Sequence, residues 1–137
     1  MASRLNPDLS FSDNARAARE FYSEVFGGTL TMNTFGEFGA QDSPDADKIM
    51  HATLETDSGF TIMGADTPTG MEYTPSGNVA VSVSGDEGDV LRGYWQKLSD
   101  GGSVSVPLEK QMWGDEFGMC VDRFGIQWLV NIGQPQT

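Results

Sequence analysis

His51 is the one histidine in the sequence, the residue type whose ordinary pKa lies near neutrality, and Glu55 follows it on the same strand-like segment. In an extended segment residues i and i+4 face the same side, so the pair reads as a proton shuttle with an orienting or accepting carboxylate. The plainer alternative is a histidine hydrogen-bonded at a strand edge or a subunit contact. Cys120 has no histidine near it in sequence and reads as a buried, inert thiol. One cysteine and one histidine cannot build an intrachain disulfide or a multi-ligand Cys/His metal site. Trp113, in Gln111-Met112-Trp113-Gly114-Asp115, offers a flat indole that either lids a cavity or packs its own loop or a dimer interface. Met71 and Tyr73 are similar rim candidates on a loop rich in Pro, Thr and Gly. The run Phe35-Gly36-Glu37-Phe38-Gly39 lacks the Lys and hydroxyl of a phosphate loop and reads as a hairpin or loop, while Asp42 to Asp47 reads as a solvated loop.

Composition narrows the partners. The 137 residues include 8 basic and 20 acidic side chains, a net charge of -12 spread along the chain. Such a surface repels phosphate backbones and anionic lipid, so nucleic acid and membrane are not expected partners. Hydrophobic residues at 38%, with 8 Phe, 7 Met and 3 Trp, supply enough apolar material for one packed domain or two half-size modules. The start MASRLNPDLSF shows no signal-peptide pattern and no apolar stretch approaches about 18 residues, so a cytoplasmic location is expected.

The elements that must position these groups follow from periodicity. An apolar run, Leu5 to Phe11, precedes Ser12-Asp13-Asn14, which has N-cap chemistry, and a helix to about Phe26 with Ala17, Ala18, Phe21, Tyr22 and Val25 on one face. Gly27-Gly28 stops it. Strands are expected at about 29–35, 49–56 and 60–64, the last two joined by Asp57-Ser58-Gly59. After a linker over 65–77 the order repeats: a strand over 78–84, a helix over 86–99 stopped by Gly101-Gly102, then strands at 103–107, 117–122 and 126–132. Helix, double glycine and late hairpin recur in the same order, so the chain reads as a duplication with modules at 4–64 and 78–132.

The segments NPDLSFSDNARAAREFYSEVFGG, HATLETDSGFTIMGAD and LEKQMWGDEFGMCVDRFGIQWLVNI resemble the vicinal oxygen chelate superfamily of glyoxalases, bleomycin-resistance proteins and extradiol dioxygenases, in its PhnB-like branch. The resemblance spans nearly the whole chain. It implies an α+β fold of two βαβββ modules, each a curved sheet with its helix on the convex side and a ligand cavity on the concave side. Alternation then assigns Leu5, Pro7, Leu9 and Phe11 to the helix side of the first strand and Asn6, Asp8 and Ser10 to the cavity. On the same logic His51, Thr53 and Glu55 face the cavity, as do Asn78 and Ser82 in the second module's first strand and Gln127 in its last.

Metal-using members of the superfamily converge four donors on one ion, and the corresponding positions here read as Asn6, Met63, Asn78 and Leu129. Two amides, a thioether and an isobutyl group do not offset the dehydration of a transition metal, so neither metal nor cofactor is expected. Branch members have also carried a 3-demethylubiquinone methyltransferase label, yet the sequence has no Gly-rich strand-to-helix loop of the kind that cradles an adenosyl cofactor. The reading is therefore a metal-independent small-molecule binder, expected to be a homodimer, with a cavity lined by Asn6, Asp8, His51, Thr53, Glu55, Asn78, Ser82 and Gln127 and lidded by Trp113. Its amides, hydroxyls and acidic walls suit a neutral or cationic, partly planar ligand. A lyase, isomerase or ring-modifying enzyme using His51 and Glu55 is the alternative, and an interaction module without a ligand is a third.

Overall fold

The computed structural model describes residues 3, 5–39, 41–71 and 79–134; Tyr73 and Asn78 lie outside the described residues. Two compact units emerge, Met1–Thr74 and Pro75–Thr137. The first runs β1 (Asp8–Phe11), α1 (Ala15–Phe26), β2 (Thr29–Thr34), β3 (Ile49–Glu55) and β4 (Thr61–Asp66), with a 3-10 turn at Gly36–Phe38. The second runs β5 (Val81–Gly85), α2 (Gly88–Ser99), β6 (Ser103–Lys110), β7 (Glu116–Val121) and β8 (Gln127–Ile132). Their sheets have matching orders, β1-β4-β3-β2 and β5-β8-β7-β6, with one parallel pair each, β1 with β4 and β5 with β8. This is the α+β, twice-βαβββ architecture expected from the sequence.

Alternation sets the faces. Leu9 and Phe11 are buried while Asp8 and Ser10 are exposed, and Trp128, Val130 and Ile132 are buried while Gln127, Leu129 and Asn131 are half-buried. The buried set faces the helix of its own unit, where α1 contributes Ala18, Phe21, Tyr22 and Val25 and α2 contributes Leu91, Tyr94 and Leu98.

Several boundaries differ from expectation for identifiable reasons. β1 begins at Asp8, leaving Leu5 fully exposed, because this edge strand is held only where β4 runs beside it. β4 extends to Asp66 instead of ending at 64, since Ala65 and Asp66 pair with Ser10 and Phe11. β6 passes through Pro107 to Lys110: it is an edge strand, and the register shift between Val106 and Glu109 accommodates a residue that cannot donate. Helix α2 starts at Gly88, two residues later than expected.

The expected N-cap at Ser12-Asp13-Asn14 is replaced by a distant group. Asn14 makes no side-chain cap bond, and Asp66 Oδ1 instead accepts the Ala15 N–H at 2.8 Å. The segment expected to be a solvated loop over 42–47 is likewise anchored: Asp45 is buried and accepts the backbone N–H and the hydroxyl of Thr69, each at 2.8 Å. Those two bonds, with the Lys48 ammonium adding to them, hold the Asp45 carboxyl below its usual range.

The duplication survives at atomic detail. A Cβ on Gly28 would overlap the Glu55 carbonyl, and one on Gly102 would overlap the Val121 carbonyl, so each helix stop is also the point where the chain crosses the end of a strand. The late hairpins match as well: Thr56 and Asp122 each donate a backbone N–H four residues ahead, and each accepts one back on its side chain. In the second unit Asp122 does more, accepting the indole N–H of Trp128 at 2.9 Å.

Candidate functional site

On the face of the first sheet opposite α1, cross-strand register builds rungs of side chains that are polar except for Met63. Asp8, Met63, Thr53 and Thr31 form one continuous rung across all four strands. Glu55 lies between Thr29 and Thr61 on another, and His51 is opposite Asn33. Successive rungs on one face are separated by about 6.6 Å. His51 and Thr53 are half-buried, and Thr53 Oγ1 lies 3.0 Å from His51 Nε2. The histidine is thereby oriented by a hydroxyl two residues along its own strand, with one ring nitrogen committed to that bond.

Glu55 is exposed and sits four positions from His51, about 13 Å along an extended strand. The fold thus puts His51, Thr53, Glu55, Asp8 and Asn6 in the first unit but joins His51 to Thr53, not to Glu55. Asn6, half-buried, immediately precedes Pro7, whose carbonyl accepts the Met63 N–H at 2.9 Å. Thr31 and Asn33 were not singled out in the sequence; the alternation of Thr29, Thr31 and Asn33 against Leu30 and Met32 carries the signal that they share the polar face.

The remaining expected residues belong to the second unit, apart from Asn78, which lies outside the described residues. Ser82 is exposed and registered with Leu129, which faces Met119; Gln127 is half-buried opposite Val121. This face is richer in apolar side chains than its counterpart in the first unit. Trp113, on the β6–β7 hairpin, is 60% exposed and packs edge-on against Phe117, with ring centroids 6.3 Å apart. At the N-terminal end of α2 a groove of about 590 Å3 is lined by Asp86, Asp89, Arg92, Lys110 and Glu116 among others. Arg92 there donates to both carboxylate oxygens of Glu116, which holds the Glu116 carboxyl below its usual range.

Of the four positions that the sequence resemblance equates with metal ligands, three are described. They are an amide (Asn6), a thioether (Met63) and an isobutyl group (Leu129), a set that does not fit a divalent transition ion. Among the described residues no three of the His, Cys, Asp and Glu side chains come together in a metal-binding arrangement. No helix of the described residues is long and apolar enough to cross a membrane. Cys120 is buried on the helix side of its sheet, where desolvation and then Asp122 push its thiol up to about 11.

Comparison with known proteins gives a consistent picture. The family model described as 3-demethylubiquinone-9 3-methyltransferase matches residues 3–131. The crystal structure of protein PA1353 from Pseudomonas aeruginosa is 36% identical, with a TM-score of 0.84, covering 98% of this chain and 100% of that one. An uncharacterised protein of Mycobacterium bovis is 34% identical across 98% of this chain and 88% of its own length. A glyoxylase/bleomycin resistance protein/dioxygenase domain from Frankia shares the fold at a TM-score of 0.65 and 14% identity, covering 98% and 99% of the two chains. With that match across nearly its whole length, the chain belongs to the family described as 3-demethylubiquinone-9 3-methyltransferase, and it shares its fold with a glyoxylase/bleomycin resistance protein/dioxygenase domain.

Proposed function

We propose that the protein binds a small molecule on the polar face of its first unit, without a metal, and that His51 and Thr53 are the central contacts. The observation that carries this is the hydrogen-bonded His51–Thr53 pair, half-buried among Asp8, Thr31, Asn33 and Glu55. A face built for solubility alone has no need of an oriented imidazole, whereas one imidazole, several hydroxyls and two carboxylates suit a neutral or cationic ligand. The methyl transfer in the family's description is not carried over to this chain. The two strand-to-helix turns, Ser12–Asn14 and Asp86–Glu87, are only three and two residues long and contain no glycine, unlike a Gly-rich cofactor loop.

The test is native mass spectrometry of protein taken directly from cells, for the wild type and for His51→Ala and Thr53→Val. A retained adduct on the wild type that both substitutions remove supports the reading. An adduct unaffected by either, or a thermal shift with S-adenosylmethionine, overturns it. The enzymatic alternative draws on the same imidazole: with Glu55 about 13 Å away, acid and base would have to act at opposite ends of a bound substrate. Turnover abolished by His51→Ala with ligand affinity intact favours that alternative.

A further inference from the structure

Trp113 is the one tryptophan whose ring the second unit leaves uncovered: Trp128 is buried and Trp95 half-buried, whereas Trp113 stands exposed on the β6–β7 hairpin. Its loop is nonetheless fixed. The Asp115 carbonyl accepts the Gln111 N–H at 2.7 Å, and the Gln111 carbonyl accepts the Gly114 N–H at 3.0 Å, closing the turn around the indole. Gly114 has a φ of 101°, and a Cβ on it would run into the Gln134 amide, so this turn takes glycine alone. Phe117 meets the indole at an interplanar angle of 60°, so the two rings form a corner instead of covering each other.

Glu109, Phe117, Asn131 and Ser84 are in register across all four strands of this sheet. Their face is the one opposite α2, because a Cβ on the neighbouring Gly118 would come within 2.8 Å of the Trp95 ring of that helix. Asn131 donates to Asp115 Oδ2 at 3.1 Å and so brings the Asp115 carboxylate to the same face. Asp115 Oδ1 and the Glu109 carboxylate accept no hydrogen bond among the described residues. Register puts Lys110 and Glu116 on the other face, where Arg92 of α2 pairs with Glu116. The aromatic corner is thus flanked by two carboxylates, with the basic side chains of this end of the sheet turned away from it.

Ring faces are the negative poles of the aromatic quadrupole and attract a cation that comes within about 6 Å of the centroid. The net charge of -12 adds attraction at long range. A metal ion is poorly served here, since among the described residues no three His, Cys, Asp or Glu side chains converge. A quaternary ammonium has no N–H to satisfy, so ring faces and nearby negative charge are the contacts it can use.

We infer that the Trp113–Phe117 corner binds a small quaternary ammonium compound, its methyl groups resting on the two rings and its charge facing Glu109 and Asp115. This site draws on the second unit alone and does not depend on the His51–Thr53 reading.

The experiment titrates choline chloride into the full isotope-labelled chain at constant ionic strength, with sodium chloride making up the balance, and follows the Trp113 indole and Phe117 amide resonances by NMR. Saturable shifts are expected. The neutral isostere 3,3-dimethylbutan-1-ol, with carbon in place of the charged nitrogen, is expected to bind about tenfold more weakly. Phosphocholine, which carries the same ammonium beside an anionic phosphate as a lipid headgroup does, is expected to bind about threefold more weakly than choline. Trp113→Leu, a change at an exposed position, should abolish the shift at Phe117. Glu109→Gln combined with Asp115→Asn, which keeps an acceptor for Asn131, should weaken choline binding at least about threefold. His51→Ala should leave it unchanged. Shifts that never saturate, equal affinity for the neutral alcohol, phosphocholine bound as tightly as choline, or indifference to the paired carboxylate substitutions each overturn the inference. So does choline binding that survives Trp113→Leu or is lost in His51→Ala.

Discussion

Ala15 donates its backbone N–H to Oδ1 of Asp66 at 2.8 Å, so the first turn of α1 is capped by the last residue of the strand that closes the same sheet. The other oxygen of that carboxylate accepts the Ile49 N–H, also at 2.8 Å, so one buried side chain ties a helix start and a strand start to the end of β4. Asp66→Ala leaves both donors unsatisfied and is expected to cost about 3 kcal/mol, while Asp66→Asn, which retains one acceptor oxygen, is expected to cost about half as much. Urea unfolding measures both, and a loss under about 0.5 kcal/mol for the alanine variant would show that the cap is dispensable.

Gly28 and Gly59 both have positive φ, 106° and 90°, but they differ in surroundings. At Gly59 a Cβ meets nothing within 4 Å, so Gly59→Ala pays only for the left-handed backbone, about 1–2 kcal/mol. At Gly28 the added carbon runs into the backbone of Glu55 and Thr56, which cannot move without breaking the pairing of β2 with β3. Gly28→Ala is therefore expected to cost at least about 2 kcal/mol more than Gly59→Ala in the same unfolding measurement.

Much of this organisation is readable in the sequence, and the failures have physical causes. The double glycines and the alternation in β1, β3 and β8 are local signals, and they locate the helices, the strand faces and the duplication. The cap on α1 is not local: Ser12-Asp13-Asn14 satisfies the pattern, but Asp66 takes the donor, and no spacing rule sees a partner brought in by a parallel strand. Asp45 escapes for the same reason, since its acidic neighbours suggest solvent while Thr69 is supplied from beyond β4. In the candidate site, alternation puts His51, Thr53 and Glu55 on one face, but the rise along a strand, not the face, decides which of them meet.

Asp45 also gives the acid limb of stability a defined source. Hydrogen bonds from Thr69 lower its carboxyl in the folded state, so the stability it contributes is complete above the ordinary carboxylate range and is lost as pH falls through the lower, folded value. Asp45→Asn is expected to be less stable than the wild type at pH 7, and the difference should shrink as pH is lowered toward 3. Parallel unfolding curves, with the difference constant from pH 7 to 3, would place the acid sensitivity elsewhere.

Stability and function should separate at His51. Its side chain is half-buried and its hydrogen-bond partner is the Thr53 hydroxyl on the same strand, so His51→Ala removes a bond within β3 and none between strands. Its unfolding free energy is expected to stay within about 0.5 kcal/mol of the wild type. Thr53→Val should behave the same way. Loss of a retained adduct in a variant that is destabilised by more than about 2 kcal/mol would reflect damage to the sheet, not removal of a ligand contact.

Cys120 provides the corresponding test of the second unit's interior. Its thiol is paired in register with Trp128 and pushed from the ordinary 9.0 to about 11, chiefly by burial and then by Asp122. At pH 8 that shift alone lowers the thiolate fraction about 100-fold, and only the thiolate attacks an alkylating agent. Iodoacetamide should therefore label the folded protein at least about 100-fold more slowly than the chain unfolded in guanidinium chloride. Because the protonated thiol is the form favoured on folding, its stabilisation is present below the ordinary 9.0 and is lost as pH climbs through about 11. Cys120→Ala should lack that alkaline loss; labelling of the native wild type at the unfolded rate would mean that β7 and β8 part far more readily than their packing around Trp128 implies.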